Sequence, residues 1–198
     1  MAETVRAFIA LPLPELVRDH LRAIRERLLP YHFPLRWVSP ENVHLTLKFL
    51  GDIPHDTVPA LSAAMETAGR DGVPLSLAAK GIGVFPTVKK ARVVWAGLKG
   101  ETDALIRFQA VLDKALAETG VPPETRPFRA HLTLARSKGR VEPESLTSAM
   151  AELAGVETDP FTADELVLFR SKLSPRGATY SRLAAAPIGG DHSDVNHP

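Results

Sequence analysis

Cysteine is absent from this 198-residue chain, which rules out a disulfide framework and any cysteine-built zinc or iron–sulfur site. Its absence fits a reducing, cytoplasmic setting. The opening segment, Met1 to Phe8 (MAETVRAF), lacks a basic stretch followed by an apolar one, so no signal peptide is expected. No run approaches the roughly 18 consecutive apolar residues of a membrane span, so no membrane partner is expected. Neither sign of charge dominates: 24 Lys and Arg oppose 23 Asp and Glu, for a net charge of +1. A protein that coats long nucleic acid is far more basic, so any RNA contact should be local, at a terminus or a single nucleotide. No G-x-x-x-x-G-K-[ST] loop is present, and ATP-dependent ligation of the nucleotidyl-transfer kind is unsupported.

What the chain does have is an ordinary globular balance, 44% apolar and 24% charged. Its length suits one domain or two small lobes, large enough to fold without staples. Val5 to Leu11 reads as a buried strand, ended by Pro12 and Pro14. Glu15 to Leu29 carries apolar residues at helical spacing (Leu16, Val17, Leu21, Ile24, Leu28), and Pro30 stops it. Strands are expected at Leu35–Val38, Val43–Leu50 (closed by Gly51-Asp52), Leu75–Ala79, Arg92–Leu98, His131–Ala135, Phe161–Phe169 and Thr179–Leu183. Helices are expected from Asp56 to about Ala68, with Gly69 just past the end, and over Thr102–Thr119 and Pro143–Leu153. Gly81 to Lys90 reads as a loop. Strands and helices mix without βαβ alternation, which predicts an α+β fold with antiparallel sheets. Residues 1–186 read as one domain. The polar, Gly-containing tail over 187–198 reads as disordered.

One internal repeat stands out. His44-Leu45-Thr46-Leu47 recurs 87 residues later as His131-Leu132-Thr133-Leu134. Each copy sits in a strand pattern after a proline-containing loop, which suggests two related halves. Side chains two apart in a strand share a face, so His44 and Thr46 point one way while Leu45 and Leu47 point to the core. His131 and Thr133 do the same. Two such strands across a cleft would present two imidazoles and two hydroxyls to one small ligand. That set suits a cyclic phosphodiester. One neutral histidine can deprotonate water, and one protonated histidine can protonate the leaving ribose oxygen. The threonines can hydrogen-bond the non-bridging oxygens, and no metal is needed. A single H-x-T in a strand is mostly structural; two identical copies in strand patterns point to a shared site. Zinc is a weaker reading, because neither motif has a second His or a carboxylate at i+2 or i+4, and Asp52 and His55 are only nearby in a turn.

These residues resemble the 2H phosphoesterase superfamily, in its RNA 2′,3′-cyclic phosphodiesterase (2′-5′ RNA ligase-like) branch. The resemblance is carried by Phe8–Pro12, Arg36-Trp37-Val38 with Val43–Gly51, Ala91–Gly97, Phe128–Arg136, and Leu168–Leu173 with Tyr180. It implies a bilobal fold: two antiparallel sheets with flanking helices, related by a pseudo-two-fold around a central cleft. It implies hydrolysis of RNA 2′,3′-cyclic phosphate ends to 2′-phosphomonoesters without cofactor or metal, and joining of 2′-5′ linkages by the same phosphorus chemistry. The substrates implied are RNA ends or nucleoside 2′,3′-cyclic phosphates. His44 and His131 become the acid/base pair, with His131 activating water and His44 protonating O3′. Thr46 and Thr133 become phosphate ligands, and Arg136 matches a phosphate-contacting arginine.

Arg136 poses a geometric problem. It lies three residues after Thr133, so a regular strand points it to the opposite face; the strand must end or twist near Ala135. Lys48, two after Thr46, is expected on the first catalytic face, where the second copy has Ala135. Phe49, Phe85 and Tyr180 are candidate base platforms, with core packing the default for Phe49. Trp37 and Trp95 are expected in the core. Lys89, Lys90 and Arg92, and likewise Arg170 and Lys172, read by default as solvated surface, with RNA backbone contact the alternative. His20, His32, His192 and His197 have no supporting context. Competing readings are a non-catalytic RNA-end binder, a phosphodiesterase for a non-RNA cyclic phosphate such as ADP-ribose 1″,2″-cyclic phosphate, and physiological 2′-5′ ligation. No exposed apolar stripe demands a partner, so a monomer is expected.

Overall fold

Alternating and helical apolar spacings resolve, in a computed structural model that describes residues 3–174 and 177–189, into nine strands and four helices. In chain order these are β1 (Thr4–Leu11), α1 (Glu15–Leu28), β2 (Leu35–Trp37), β3 (Leu45–Pro54), α2 (Val58–Arg70), β4 (Leu75–Phe85), β5 (Val93–Gly100), α3 (Thr102–Ala117), β6 (Leu132–Ser137), α4 (Pro143–Leu153), β7 (Phe161–Ala163), β8 (Glu165–Ser174) and β9 (Gly177–Pro187). The strands form two antiparallel sheets, ordered β3-β1-β8-β9 and β2-β6-β5-β4-β7. The strands carrying the repeated tetrapeptide, β3 and β6, sit beside β1 and β5. The pseudo-two-fold therefore relates β3-β1-β8-β9 to β6-β5-β4-β7, and β2 is an addition outside β6.

The helices cross between halves. α1 follows β1 of the first sheet, yet Arg27 pairs with Glu152 of α4 at 2.8 Å, and the Tyr31 hydroxyl donates to the same carboxylate at 2.9 Å. α4 packs on β4 of the second sheet. Conversely, α3 follows β5 of the second sheet and supplies Gln109 and Asp113 to β3 of the first. The apolar stripe expected on α1 is realised by Val17, Leu21, Ile24 and Leu28, all buried. A cluster of buried apolar side chains from both sheets and all four helices forms the core, and hydrophobic burial of this kind drives the folding.

β3 runs on through Gly51-Asp52 to Pro54, and the strand expected over Phe161–Phe169 is two, β7 and β8, the second continuing to Ser174. Three further boundaries depart from the sequence reading, each for a packing reason. β4 runs on to Phe85 through the stretch read as a loop, because Gly81, at φ +60°, makes a bulge, and Gly83 leaves room for the ring of Trp95. α2 continues through Gly69 rather than stopping before it. A Cβ there would lie 2.2 Å from the Pro187 carbonyl oxygen, so glycine serves the close approach of β9. β9 extends to Pro187, and Ile188, 2% exposed, donates its amide to the Asp164 carbonyl. Pro187 to Gly189 thus belong to the fold, and the rest of the tail expected to be disordered lies outside the described residues.

Candidate active site

The motif strands are not regular ladders. Opposite β1, Ala10 pairs with Thr46 and Ile9 with Lys48, so Leu47 is an extra residue. Opposite β5, Trp95 pairs with Thr133 and Val94 with Ala135, so Leu134 is extra in the same place. Each is a β-bulge, which inserts one residue and re-aims those that follow. The first six residues of β3 and of β6 share one burial sequence: buried, half-buried, buried, buried, exposed, half-buried.

The bulge resolves the Arg136 problem and overturns two expectations. After Leu134, Ala135 turns into the core and Arg136 comes out beside Thr133 on the exposed face. By the same shift Lys48 leaves the face of Thr46. It is 3% exposed, bonded to Asp113 of α3 at 2.6 Å and to the Pro122 carbonyl at 2.7 Å. Phe49, expected in the core, is 66% exposed and stands 6.2 Å from Phe8.

His44 immediately precedes β3. A short turn over Pro40–Asn42 delivers it, and Asn42 is held by donating its side-chain amide to the Ala178 carbonyl of β9 at 2.8 Å. The His44 Nδ1–H donates to the Asn42 carbonyl at 2.8 Å. A carbonyl can only accept, so Nδ1 carries the proton and Nε2 is left free of this bond. The ring stacks on Phe8 at 4.4 Å, with Tyr180 edge-on at 5.2 Å. Burial among these rings pushes the His44 pKa down to about 4, against a smaller upward pull from the Asn42 carbonyl.

His131 repeats the device. Its Nδ1–H donates to the carbonyl two residues earlier, that of Arg129, at 2.7 Å. Its neighbours are Phe85, edge-on at 5.0 Å, and Trp95 at 6.4 Å. The Arg129 guanidinium lies over the Phe85 ring at 6.0 Å. Both tryptophans were expected in the core and both are half-buried: Trp95 lies beside a motif histidine, and Trp37 packs against the core under Arg25.

Tyr180 bears on both motifs. It touches His44, and although burial pushes its hydroxyl pKa up, the charge of Arg136 offsets part of that push. A second link is short: Val38 donates to the Leu134 carbonyl of β6, and His44 follows six residues later. Among the described residues, no group of three or more His, Cys, Asp and Glu side chains is placed to hold a metal ion. Asp52 and His55 lie at or beyond the far end of β3, away from the motif. Arg170 pairs with Glu3 at 3.3 Å at the surface. No described helix is long and apolar enough to cross a membrane.

The sequence reading missed Phe8, Asn42, Gln109 and the carbonyl of Arg129. Phe8 was legible as a strand residue in a segment that carries the family resemblance but not as a neighbour of His44, and a carbonyl acceptor leaves no mark on side-chain identity. Asn42 and Gln109 act through contacts 136 and 62 residues away in sequence.

Comparisons with known proteins agree with this geometry. A family model described as LigT-like phosphoesterase matches twice, over residues 11–95 and 98–180, once for each copy of the tetrapeptide. The chain is 34% identical over 179 residues to a protein of Methanothermobacter thermautotrophicus named RNA 2′,3′-cyclic phosphodiesterase, spanning 90% of this chain and 96% of that one. The crystal structure of TT0787 of Thermus thermophilus is similar with a TM-score of 0.77 and 28% identity, covering 94% of this chain and 100% of the other. That of E. coli LigT complexed with 3′-AMP is similar with a TM-score of 0.73 and 27% identity, covering 94% and 99%.

Proposed function

The chain belongs to the LigT-like phosphoesterase family, and on that premise we propose that it is an enzyme that hydrolyses 2′,3′-cyclic phosphate ends of RNA to 2′-phosphomonoesters by metal-independent acid/base catalysis with His44 and His131. The observation that carries the reading is the duplicated histidine geometry. In both copies Nδ1–H is committed to a backbone carbonyl two residues back, which leaves Nε2 free to take or give a proton.

In this mechanism His131 removes a proton from water as it attacks phosphorus on the side opposite O3′. The P–O3′ bond breaks, and His44 gives its proton to the leaving oxygen. The ring opens to a 2′-phosphomonoester and a free 3′-hydroxyl. Thr46 and Thr133 hydrogen-bond the non-bridging oxygens, and the Arg136 guanidinium offsets the charge that develops on them. The same displacement with an RNA 5′-hydroxyl in place of water gives a 2′-5′ linkage, which is the ligase activity we assign to this site.

In the free protein His44 is neutral, since burial pushes its pKa down to about 4. An acid must start protonated. The phosphodiester supplies the remedy: its negative charge, brought into a poorly solvated site, favours the imidazolium. Substrate and proton therefore bind together.

The test is hydrolysis of 2′,3′-cyclic AMP with EDTA present, for the wild type, His44→Ala and His131→Ala, with the product isomer identified. Each substitution should cost roughly 10²–10⁴-fold in rate, and the wild-type product should be the 2′-phosphate. Retained activity in a folded alanine variant, or loss of wild-type activity with EDTA, would refute the mechanism. Tight binding without turnover would identify an RNA-end binding protein, and a preference for ADP-ribose 1″,2″-cyclic phosphate a non-RNA substrate.

A further inference from the structure

Two stretches of the chain, residues 72–100 and 125–141, contain no Asp or Glu, although the whole protein is nearly neutral. Both lie in the second sheet, and their ends meet. The Ser137 amide donates to the Arg92 carbonyl at 2.9 Å, closing β6 against the start of β5. Around that junction Lys89, Lys90, Ala91, Arg92, Ser137, Gly139 and Arg140 line a concave patch of about 400 Å³. Some basic side chains elsewhere meet carboxylates: Arg27 with Glu152, Lys99 with Glu157, Arg182 with Glu165. Among the described residues, none of the four patch cations has such a partner. The positive charge there is concentrated and uncompensated, and it calls for an anion.

The patch adjoins Arg136 along the chain at the end of β6. Arg136 precedes Ser137, and its direct partner across the β2–β6 ladder is Arg36, also exposed. Residues directly opposite in a ladder share a face, and like charges so placed repel. A polyanion lying between them would turn that repulsion into attraction. From His131 to Ser137 is six residues, about 20 Å at roughly 3.3 Å per residue. A single nucleotide held at His131 does not span that distance, but a strand of several nucleotides does.

Resting on the cyclic-phosphodiesterase reading above, we infer that the groove from Arg36 and Arg136 to Lys89, Lys90, Arg92 and Arg140 binds the backbone phosphates of the RNA strand whose cyclic 3′ end occupies the cleft. The protein thus distinguishes an RNA end from a free cyclic nucleotide by backbone charge, and the contact is local, as the modest net charge requires.

The experiment compares wild type, Lys89→Ala/Lys90→Ala and Lys89→Arg/Lys90→Arg. Each is assayed for hydrolysis of 2′,3′-cyclic AMP and, by fluorescence polarisation at graded salt, for binding of a labelled oligoribonucleotide ending in a 2′,3′-cyclic phosphate. Each phosphate contact contributes a slope of about 0.7 to the fall of log affinity with log salt for a single strand. The alanine pair should therefore bind the oligonucleotide more weakly, with a slope shallower by about 1.4. The arginine pair should retain the wild-type slope. The cyclic mononucleotide, too short to reach the groove, should turn over at the wild-type rate in all three, which also shows that the variants are folded. An unchanged oligonucleotide slope in the alanine pair overturns the inference, as does an equal loss on the mononucleotide. If the wild type does not turn over 2′,3′-cyclic AMP but the slope still changes, the phosphodiesterase reading fails and the groove stands.

Discussion

β3 and β6 carry the same tetrapeptide, the same burial sequence and the same one-residue bulge, yet the two bulges are held by different means. The carbonyl freed at Leu47 accepts from the side chain of Gln109 on α3 at 3.3 Å, while that at Leu134 accepts from the backbone amide of Val38 at 2.8 Å. The next residue is Lys48 in one copy, tied to Asp113, and fully buried Ala135 in the other. The reason lies in the sheets. β6 has β2 on its outer side, so a neighbouring backbone meets its needs. β3 is an edge strand, and its outer side must be covered by something else. The side chains of Gln109 and Asp113 do in the first half what an added strand does in the second. The proposed chemistry is duplicated, and the scaffolding beneath it is not.

The sharpest expected difference between the halves is protonation. His44 has to rise from a pKa of about 4 to above 7 when the phosphodiester binds, a change of about three units. That is about 4 kcal/mol at 1.36 kcal/mol per unit. Isothermal titration calorimetry of His131→Ala with 2′,3′-cyclic AMP at pH 7, repeated in buffers of different ionisation enthalpy, should report uptake of close to one proton. The sign follows from the direction of the shift: a pKa below the working pH means the free enzyme lacks the proton, so binding must take it up. Removing His44 as well should abolish the uptake. Binding without uptake would leave His44 neutral and give it the role of base.

The next effect is on stability. Lys48→Ala strands the Asp113 carboxylate, which is only 14% exposed, without its cation. Removing one partner of a buried pair costs about 3 kcal/mol. Lys48→Met fills the volume but leaves the same carboxylate, so only Lys48→Met with Asp113→Leu should recover most of the loss in urea melts. Had Lys48 faced the cleft, Lys48→Ala would change the rate and leave the melt nearly unmoved. Gln109→Leu is expected to be milder. It leaves the bulge carbonyl of Leu47 unpaired, at a cost of about 1–2 kcal/mol. It should also lower turnover, because the bulge sets the direction of the residues after Thr46, whereas no single side chain holds the second bulge.

Much of this was legible in the sequence, and what was not has a common cause. The tetrapeptide repeat located both histidines, and the periodicities located all four helices. Strand alternation then carried the reading correctly as far as Leu47 and failed at Lys48, while in the second copy the place of Arg136 already required a twist near Ala135, where the bulge lies. A bulge leaves no local signature in H-L-T-L. What holds it is a glutamine 62 residues away in one half and a backbone amide 96 residues before Leu134 in the other. The surroundings of each histidine were hidden for a similar reason. Phe8 and Tyr180 reach His44 from two other strands, and the acceptors that fix the two tautomers are main-chain carbonyls.

The smallest expected effects test the bulges directly, at the matching positions Phe49 and Arg136. Unbroken alternation from Leu45 would bury Phe49, and truncating a buried phenylalanine to alanine costs about 3–5 kcal/mol. The bulge instead leaves Phe49 66% exposed, and substitution of such a surface residue changes stability by about 0.5 kcal/mol or less. Arg136→Ala should be equally silent in a denaturant melt, since that side chain is exposed as well. The two should part in kinetics. Loss of the guanidinium removes charge stabilisation that grows as the P–O3′ bond breaks, so kcat for 2′,3′-cyclic AMP should fall along with affinity. Phe49→Ala takes no charge from the phosphate, so kcat should hold even if KM rises. A loss of more than about 1 kcal/mol in Phe49→Ala, beyond the range of a surface site, would return that ring to the core, and with it would go the argument that carries Arg136 onto the face of Thr133.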